Sequence, residues 1–280
     1  MNRTVYAKIT NAYYDLTGAE KKIADYVLAN RITVQFMSIT ELAREAGVSE
    51  ASISRFCRTL AFGSFNAFKL DLAKVSGSTP APAPEQTDAD GAPTIPTALL
   101  SEYDTMLRRT RDLLNLSDVE AAVDIIQSAR KVCCMGQGGS LITAQEAWSV
   151  FSNVSSRFIC VQDSHLQSAT AALLGKRDAI LYFSYSGATR AALDVLPMVH
   201  ENGVKVILIT RYRLSPAANY ADVVLLCGAD ESPMQLGSVA ARISQLYLVD
   251  VLYTSLCRRD PKRTSQNREQ ISRALNIKHM

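Results

Sequence analysis

Two periodicities divide the chain. Up to about residue 76 the apolar positions recur at helical spacing, with Ile23, Tyr26 and Val27 inside 19–30 and further runs over 39–46, 49–60 and 64–74. Thr17 stands where the first of these needs a cap. After residue 97 two more helices are predicted, near 98–114 and 117–129. Beyond them the apolar runs shorten to KVCCM, RFICV, AILYF, VILIT and DVVLLC, and helix-patterned segments lie between, near 140–153, 164–175, 189–202 and 236–257. Strands that alternate with helices and are apolar throughout predict a parallel sheet covered on both faces. The expected architecture is therefore an all-α N-terminal bundle followed by an α/β domain of five strands. No internal repeat is visible.

The stretch between the two patterns, 76–97, holds five of the nine prolines and almost no large apolar residue. Proline fixes φ and withholds a donor, so this segment reads as a semi-extended, flexible linker. The predicted division is 1–77 for the helical domain, 78–97 for the linker, 98–130 for a helical lead-in and 131–260 for the α/β domain.

Composition narrows the class. Hydrophobic residues make up 48% of the 280 and charged residues 20%, ordinary values for a globular chain. No apolar run approaches the roughly 18 residues of a membrane span, and MNRTVYAKITNAYYD lacks the apolar stretch of a secretory signal. The expectation is a cytoplasmic protein without a membrane partner. The six cysteines form no C-x-x-C pair and mostly sit in apolar runs, as in KVCCM, so they read as small hydrophobes rather than as metal ligands or disulfides. Net charge is +3, and residues 1–77 carry ten Lys/Arg against seven Asp/Glu. That excess is too mild to argue for nucleic acid by itself.

The motifs decide more. Residues 39–58, ITELAREAGVSEASISRFCR, fit a helix-turn-helix throughout. Leu42, Ala43 and Ala46 give the first helix an apolar face, and Ala43 is small where a second helix approaches. Gly47 permits a left-handed turn, Val48 fills the corner, and Ser49 caps the second helix. Ile53 and Phe56 then point inward. Ser49, Ala51, Ser52, Arg55 and Arg58 are left facing outward, where small and polar residues suit close approach to base edges and arginines reach a base or a phosphate. Lys69 on the following helix is a further candidate phosphate contact. The bland alternative is a helical hairpin with a solvated face.

Two loops after strands form the second constellation. GQGGS, residues 136–140, follows KVCCM, and SYSGAT, residues 184–189, follows AILYF. Ligands of parallel α/β sheets bind beyond the carboxyl ends of strands, where helix N-termini present N–H groups and small hydroxyls add donors. Leu141 occupies the place of the third glycine of G-x-G-x-x-G, and no G-x-x-x-x-G-K-[ST] occurs, so dinucleotide and nucleoside-triphosphate readings weaken. Neither a cofactor nor a metal is expected.

With these residues in view the chain resembles the MurR/RpiR family of transcriptional regulators. GVSEASISRFCRTLAFGSFNAFKLDLA is similar to that family's recognition helix and the helix after it. SYSGATR, VILITRYRLSPAANYADVVLLC and RISQLYLVDVLY resemble its sugar-isomerase-type (SIS) domain. The resemblance implies a DNA operator and a phosphorylated sugar as partners, and a homodimer or homotetramer. It also implies Ser140, Ser184, Ser186 and Thr189 as phosphate ligands, with Gly138 and Gly187 giving backbone access. The stretch 163–167, with Asp163, His165 and Gln167, would line the sugar end, and Arg242 would reach the ligand across a subunit interface. For His165 the alternative is a buried, hydrogen-bonded core histidine. A sugar-phosphate isomerase using the same pocket is the alternative, with His165 or Glu231 as its base. Arg190, Ala191 and Ala192 stand where a pocket-edge carboxylate would have favoured it, and no catalytic residue is expected.

Overall fold

The computed structural model describes residues 5–31, 33–76, 94–229 and 239–276. Two compact units result, and the division between them falls near Thr105.

The first unit is helical. Its described helices are α1 (Val5–Ala12), α2 (Gly18–Ala29), α3 (Ile39–Glu45), α4 (Glu50–Thr59) and α5 (Phe65–Ser76). Three of them start where the sequence supplies a local reason. Thr17 and Ser38 close capping boxes with Glu20 and Glu41, and Ser49 accepts from the Ser52 amide at the head of α4. Ile23, Val27, Leu42, Ile53, Phe56, Phe68 and Leu72 are fully buried in one cluster. Phe68 meets Phe56 and Phe62 edge-on, with ring centroids 5.8 and 5.4 Å away.

Two helix ends share one device. Gly47 has φ 62°, with Val48 N donating to Ala43 O at 2.9 Å; Ala61 has φ 61°, with Phe62 N donating to Cys57 O at 2.8 Å. Both are six-to-one closures that need a left-handed residue after the helix. At Gly47 the residue suits the conformation, and at Ala61 it does not.

The second unit is the α/β layer structure. It contains the end of α6 (Ile95–Leu113), then α7 (Leu116–Ser128), β1 (Lys131–Gly136), α8 (Gly139–Ser152), β2 (Phe158–Cys160), α9 (Ser164–Ala172), β3 (Asp178–Phe183), α10 (Arg190–Glu201), β4 (Lys205–Thr210), β5 (Val223–Leu226), α11 (Val239–Arg259) and α12 (Pro261–Asn276). The five strands are all parallel in the order β2-β1-β3-β4-β5. Period-two alternation sorts their side chains between two cores. Val132, Cys134, Leu181, Phe183, Ile207 and Ile209 face one, with residues of α7, α8 and α11; Cys133, Met135, Ile180, Tyr182, Val206 and Leu208 face the other, with residues of α9 and α10. Asp178 opens β3 at 2% exposure, bonded twice by the Arg130 guanidinium at 2.9 and 3.0 Å. That bond holds its carboxyl below the usual carboxylate range against the opposing effect of burial.

Several sequence expectations change. The linker expected at 78–97 lies outside the described residues as far as 93, and its last residues are helical, because α6 starts at Ile95 with Pro96 in its first turn. A proline is tolerated there, where the amide it lacks has no intrahelical partner. The second unit also continues past 260. Asn267 of α12 donates to Val154 O at 2.6 Å, and Arg268 to the Tyr253 hydroxyl at 2.8 Å. The thiols fit the hydrophobe reading: burial pushes those of Cys57 and Cys133 up to about 12. No helix among the described residues is long and apolar enough to cross a membrane.

The two left-handed positions give a paired stability test. No heavy atom lies within 4 Å of a Cβ built on Gly47, and Ala61 is exposed, so backbone conformation dominates both sites. Ala61→Gly is expected to stabilise the protein by about 0.5–1 kcal/mol in urea unfolding, and Gly47→Ala to cost about 1 kcal/mol. A loss of stability in Ala61→Gly would show that packing of its methyl group holds the turn.

Candidate functional site

In the helical unit α4 presents one exposed edge. Ser49, Ala51, Arg55 and Arg58 are exposed, as their spacing predicts. Ser52 is not: it is 6% exposed. The buried stripe of α4 runs through 52, 53, 56, 57 and 60, one position wider than Ile53 and Phe56 alone indicate. The Ser52 hydroxyl lies 3.0 Å from Ser49 Oγ and accepts from Arg55 Nη2 at 3.3 Å, so it steadies the outward residues rather than joining them. Lys69 on α5 is half-buried, its ammonium 5.3 Å from the Phe65 ring centroid.

A residue that motif reasoning passed over fixes α4 in place. Glu20 of α2, 7% exposed, accepts from Thr59 Oγ1 at 2.7 Å and from Thr17 N and Oγ1 at 2.9 and 2.8 Å. One carboxylate therefore serves the cap of α2 and the end of α4. Thr40 Oγ1 donates to Glu50 at 2.6 Å and ties the head of α4 to α3.

In the α/β unit the strand order changes direction between β1 and β3, and the loops that follow these two strands are those singled out by composition. Gly136 pairs with Phe183 in register, so both loops leave the sheet at one level. A Cβ on Gly136 would lie 2.9 Å from Ser140 O and 3.0 Å from Phe183 O. Glycine thus lets the head of α8 close down on the end of β3. Gly138, the N-cap of α8, has φ 56° and ψ −128°, a conformation essentially confined to glycine, and Ser140 follows half-buried in the first turn.

The second loop gathers hydroxyls. Ser184 is 3% exposed, and its Oγ lies 3.5 Å from that of Thr189. Thr189 caps α10 by accepting from Ala192 N at 3.4 Å. Ser186 Oγ accepts from Ala188 N at 3.2 Å, a bond that leaves its own proton available to donate. Gly187 has φ 58°, and a Cβ there would fall 2.1 Å from Ser215 Oγ and 2.4 Å from Ser215 Cβ. Neither the backbone nor the space admits another residue. Ser215 itself is 1% exposed, and its hydroxyl has no partner among the described residues. Sequence reading passed over it; the one signal was a serine before a proline shortly after β4.

The remaining expectations disperse. His165 is exposed in the first turn of α9, which Asp163 caps, so the alternative of a buried core histidine does not hold. Two residues on, Gln167 is 1% exposed and braces the first loop: its Nε2 donates to Gly136 O at 3.0 Å and Val161 O at 2.8 Å, and its Oε1 accepts from Gln137 at 3.2 Å. Arg242 is half-buried and lines a groove of about 430 Å³ with Thr143 and Glu146 of α8 and Asp250 of α11. Glu231 lies outside the described residues. Among the described residues no group of three or more His, Cys, Asp or Glu could hold a metal ion.

Comparison with known proteins is consistent across both units. The model of the helix-turn-helix domain of the rpiR family matches residues 3–78, and that of the SIS domain matches residues 125–255. An uncharacterized HTH-type transcriptional regulator of Haemophilus influenzae is 30% identical over 95% of this chain and 94% of its own. Another from Thermotoga maritima is 30% identical over 92% and 93%. The bifunctional protein glk of Burkholderia thailandensis is 34% identical over 95% of this chain but 41% of its own, so there the likeness is to part of a longer protein. Among solved structures, the Vibrio vulnificus NanR protein complexed with ManNAc-6P shares the fold with a TM-score of 0.88 at 23% identity, over 99% of both chains. The sugar isomerase domain of an RpiR transcription factor from Sphaerobacter thermophilus gives 0.58 at 22% identity, over 64% of this chain and 98% of its own.

Two substitutions test the geometry. Gly187→Ala places a methyl group on Ser215 in a left-handed backbone, and is expected to cost about 2–4 kcal/mol in thermal unfolding. Adding Ser215→Gly should recover the part due to crowding and leave the backbone part; no recovery would mean that the loop moves aside. In the helical unit, Arg55→Ala should weaken binding to an operator selected in vitro by about 1–3 kcal/mol at matched salt. Unchanged affinity would remove Arg55 from the DNA-facing set.

Proposed function

This chain belongs to the rpiR family of helix-turn-helix transcriptional regulators that carry a SIS domain, and we propose that a phosphorylated sugar bound at its α/β unit sets its affinity for a DNA operator. The observation that carries the proposal is the pair of loops at the β1/β3 reversal. In a sheet of this order the crevice between those two strands is where ligands sit. Gly138 and Ser140 on one side, and Ser184, Ser186, Gly187 and Thr189 on the other, supply small hydroxyls and glycine backbone at the heads of α8 and α10. A monophosphate accepts several hydrogen bonds and favours helix N-termini. The presence of ManNAc-6P in the fold neighbour NanR supports a phosphorylated sugar as the class.

On this reading α4 enters the major groove, with Ser49, Ala51, Arg55 and Arg58 toward the DNA and Lys69 on a phosphate. Ser52 acts as a support behind them. The functional form is a homodimer or homotetramer, because two recognition helices are needed for two half-sites. Ligand affinity must differ between the operator-competent and incompetent arrangements, or occupancy changes nothing. His165, exposed two residues from the brace Gln167, is assigned to the sugar end. Arg242 is assigned to the groove beside α8, reaching toward a neighbouring subunit. We place the chain among regulators rather than isomerases, in line with the names of its full-length relatives. Isomerisation needs a base near the carbon that loses its proton, and Thr189 is followed by Arg190, Ala191 and Ala192.

The test uses one double mutant and two assays. Ser184→Ala with Ser186→Ala removes two donors to a charged group, each worth about 1.5–3 kcal/mol. Sugar-phosphate affinity, measured by calorimetry across a panel that includes ManNAc-6P, should fall about 100-fold or more, while ligand-free operator binding is retained. Retained sugar-phosphate affinity would displace the site from these loops. Interconversion of the bound sugar phosphate by the wild-type protein, followed by NMR, would overturn the regulator-only reading.

A further inference from the structure

We infer that Tyr185, Gly228 and Thr110 form a hydrogen-bonded strut that carries occupancy of the loop 184–189 to helix α6, through which the chain passes from the DNA-binding unit into the α/β unit. The inference rests on the reading of that loop as the effector site.

Tyr185 stands between Ser184 and Ser186, and it is held at both ends. Its carbonyl accepts from Arg211 N at 2.9 Å and from Thr210 Oγ1 at 3.1 Å, at the end of β4. Its hydroxyl donates to Ala229 O at 2.8 Å, just beyond β5. Its ring also meets Tyr212 edge-on, with centroids 6.0 Å apart. A shift of the loop backbone therefore moves a rigid aromatic lever whose far end is bonded to residue 229.

The next residue back is fixed to α6. The Gly228 amide donates to both Thr110 Oγ1 at 3.0 Å and Ser244 Oγ at 3.1 Å. A Cβ on Gly228 would lie 2.5 Å from Thr110 N and 2.8 Å from the carbonyl carbon of Arg109, so the backbone of α6 rests directly on this glycine. Thr110 and Ser244 are both fully buried, and their hydroxyls are 2.8 Å apart. Each hydroxyl has one proton to place. Thr110 has its own helix's Met106 O as acceptor at 2.8 Å, which leaves Ser244 to donate to Thr110 and both oxygens to receive the Gly228 amide. Every donor in the cluster is then used.

A buried cluster of this kind resists gradual distortion. Loss of a member takes a partner from dry polar groups that water cannot reach, so Gly228 and α6 move together or the cluster parts. Valine at 110 and alanine at 244 would nearly keep the shape but would leave the register between α6 and the end of β5 free to slip. The structure thus links the candidate effector loop to α6 through Tyr185, the backbone of Ala229 and Gly228, and Thr110.

The experiment measures hydrogen exchange of the 95–113 peptide in the full-length protein, with and without saturating inorganic phosphate. In the wild type, phosphate should change exchange in α6 by about fivefold or more, the lower end of typical coupling. Thr110→Val keeps the shape and loses the hydroxyl; it should bind phosphate as the wild type does, with the α6 response abolished. Thr110→Ser restores the hydroxyl and should restore the response, which separates loss of the bond from loss of folding. Tyr185→Phe, compared at saturation, should abolish the same response, and combining it with Thr110→Val should add nothing. An α6 response that persists in Thr110→Val and Tyr185→Phe overturns the strut while leaving the effector site standing, as does a wild type that binds phosphate with no change in α6. Failure of phosphate to bind the wild type, or binding indifferent to Ser184→Ala with Ser186→Ala, overturns the effector site and the strut with it.

Discussion

A parallel sheet must be buried on both faces, and most of this protein's second unit follows from that requirement. Parallel strands cannot be joined by tight turns, so each connection crosses back over a face and takes a helix with it. Here α8, α9 and α10 are crossovers and α7 and α11 flank the strands in sequence; α7, α8 and α11 cover one face and α9 and α10 the other. Because the chain changes direction after β1, helices leave β1 and β3 toward opposite faces. The loops between them part at the strand ends, and a crevice opens without any residue being spent on making it. The hydroxyls and glycines need only furnish a gap that the sheet order already creates.

In the helical unit small polar residues set the geometry. Thr17, Ser38 and Ser49 start three helices, and Glu20 joins the cap of α2 to Thr59 at the end of α4. A half-turn of rotation in α4 would break this bond and bury Arg55 in the apolar cluster. The exposed edge of α4 is consequently fixed by bonds within the helical unit itself.

Much of this was legible in the sequence where a local rule applied. Strands buried on both faces read as short apolar runs, and all five were found within a residue or two. Gly47, Ser49 and the loops 136–140 and 184–189 were legible because turn conformation and helix capping restrict residue choice on the spot. Ser52 was not, because one apolar turn of α4 cannot show whether its buried stripe is two or three residues wide. Helix α12 was missed since its apolar positions are few and it is anchored by polar bonds from Asn267 and Arg268. Gln167, Ser215 and the Thr110–Ser244 pair escaped for a different reason: what they lie against is distant in sequence, Gly136 for Gln167, Gly187 for Ser215, and a residue 134 positions away in the last case. No window of the sequence contains that information.

The strands at the two margins of the sheet are its shortest, β2 with three residues and β5 with four. A foreign strand seeking to pair there would find room for only a bond or two, too little to offset the freedom it would lose. The sheet is in this sense closed to extension even though it is not a barrel. The unit's helical surfaces differ in this respect, since contacts there are made by side chains and are specific to sequence. Edge-to-edge growth of the sheet is thus disfavoured by the brevity of these seven residues.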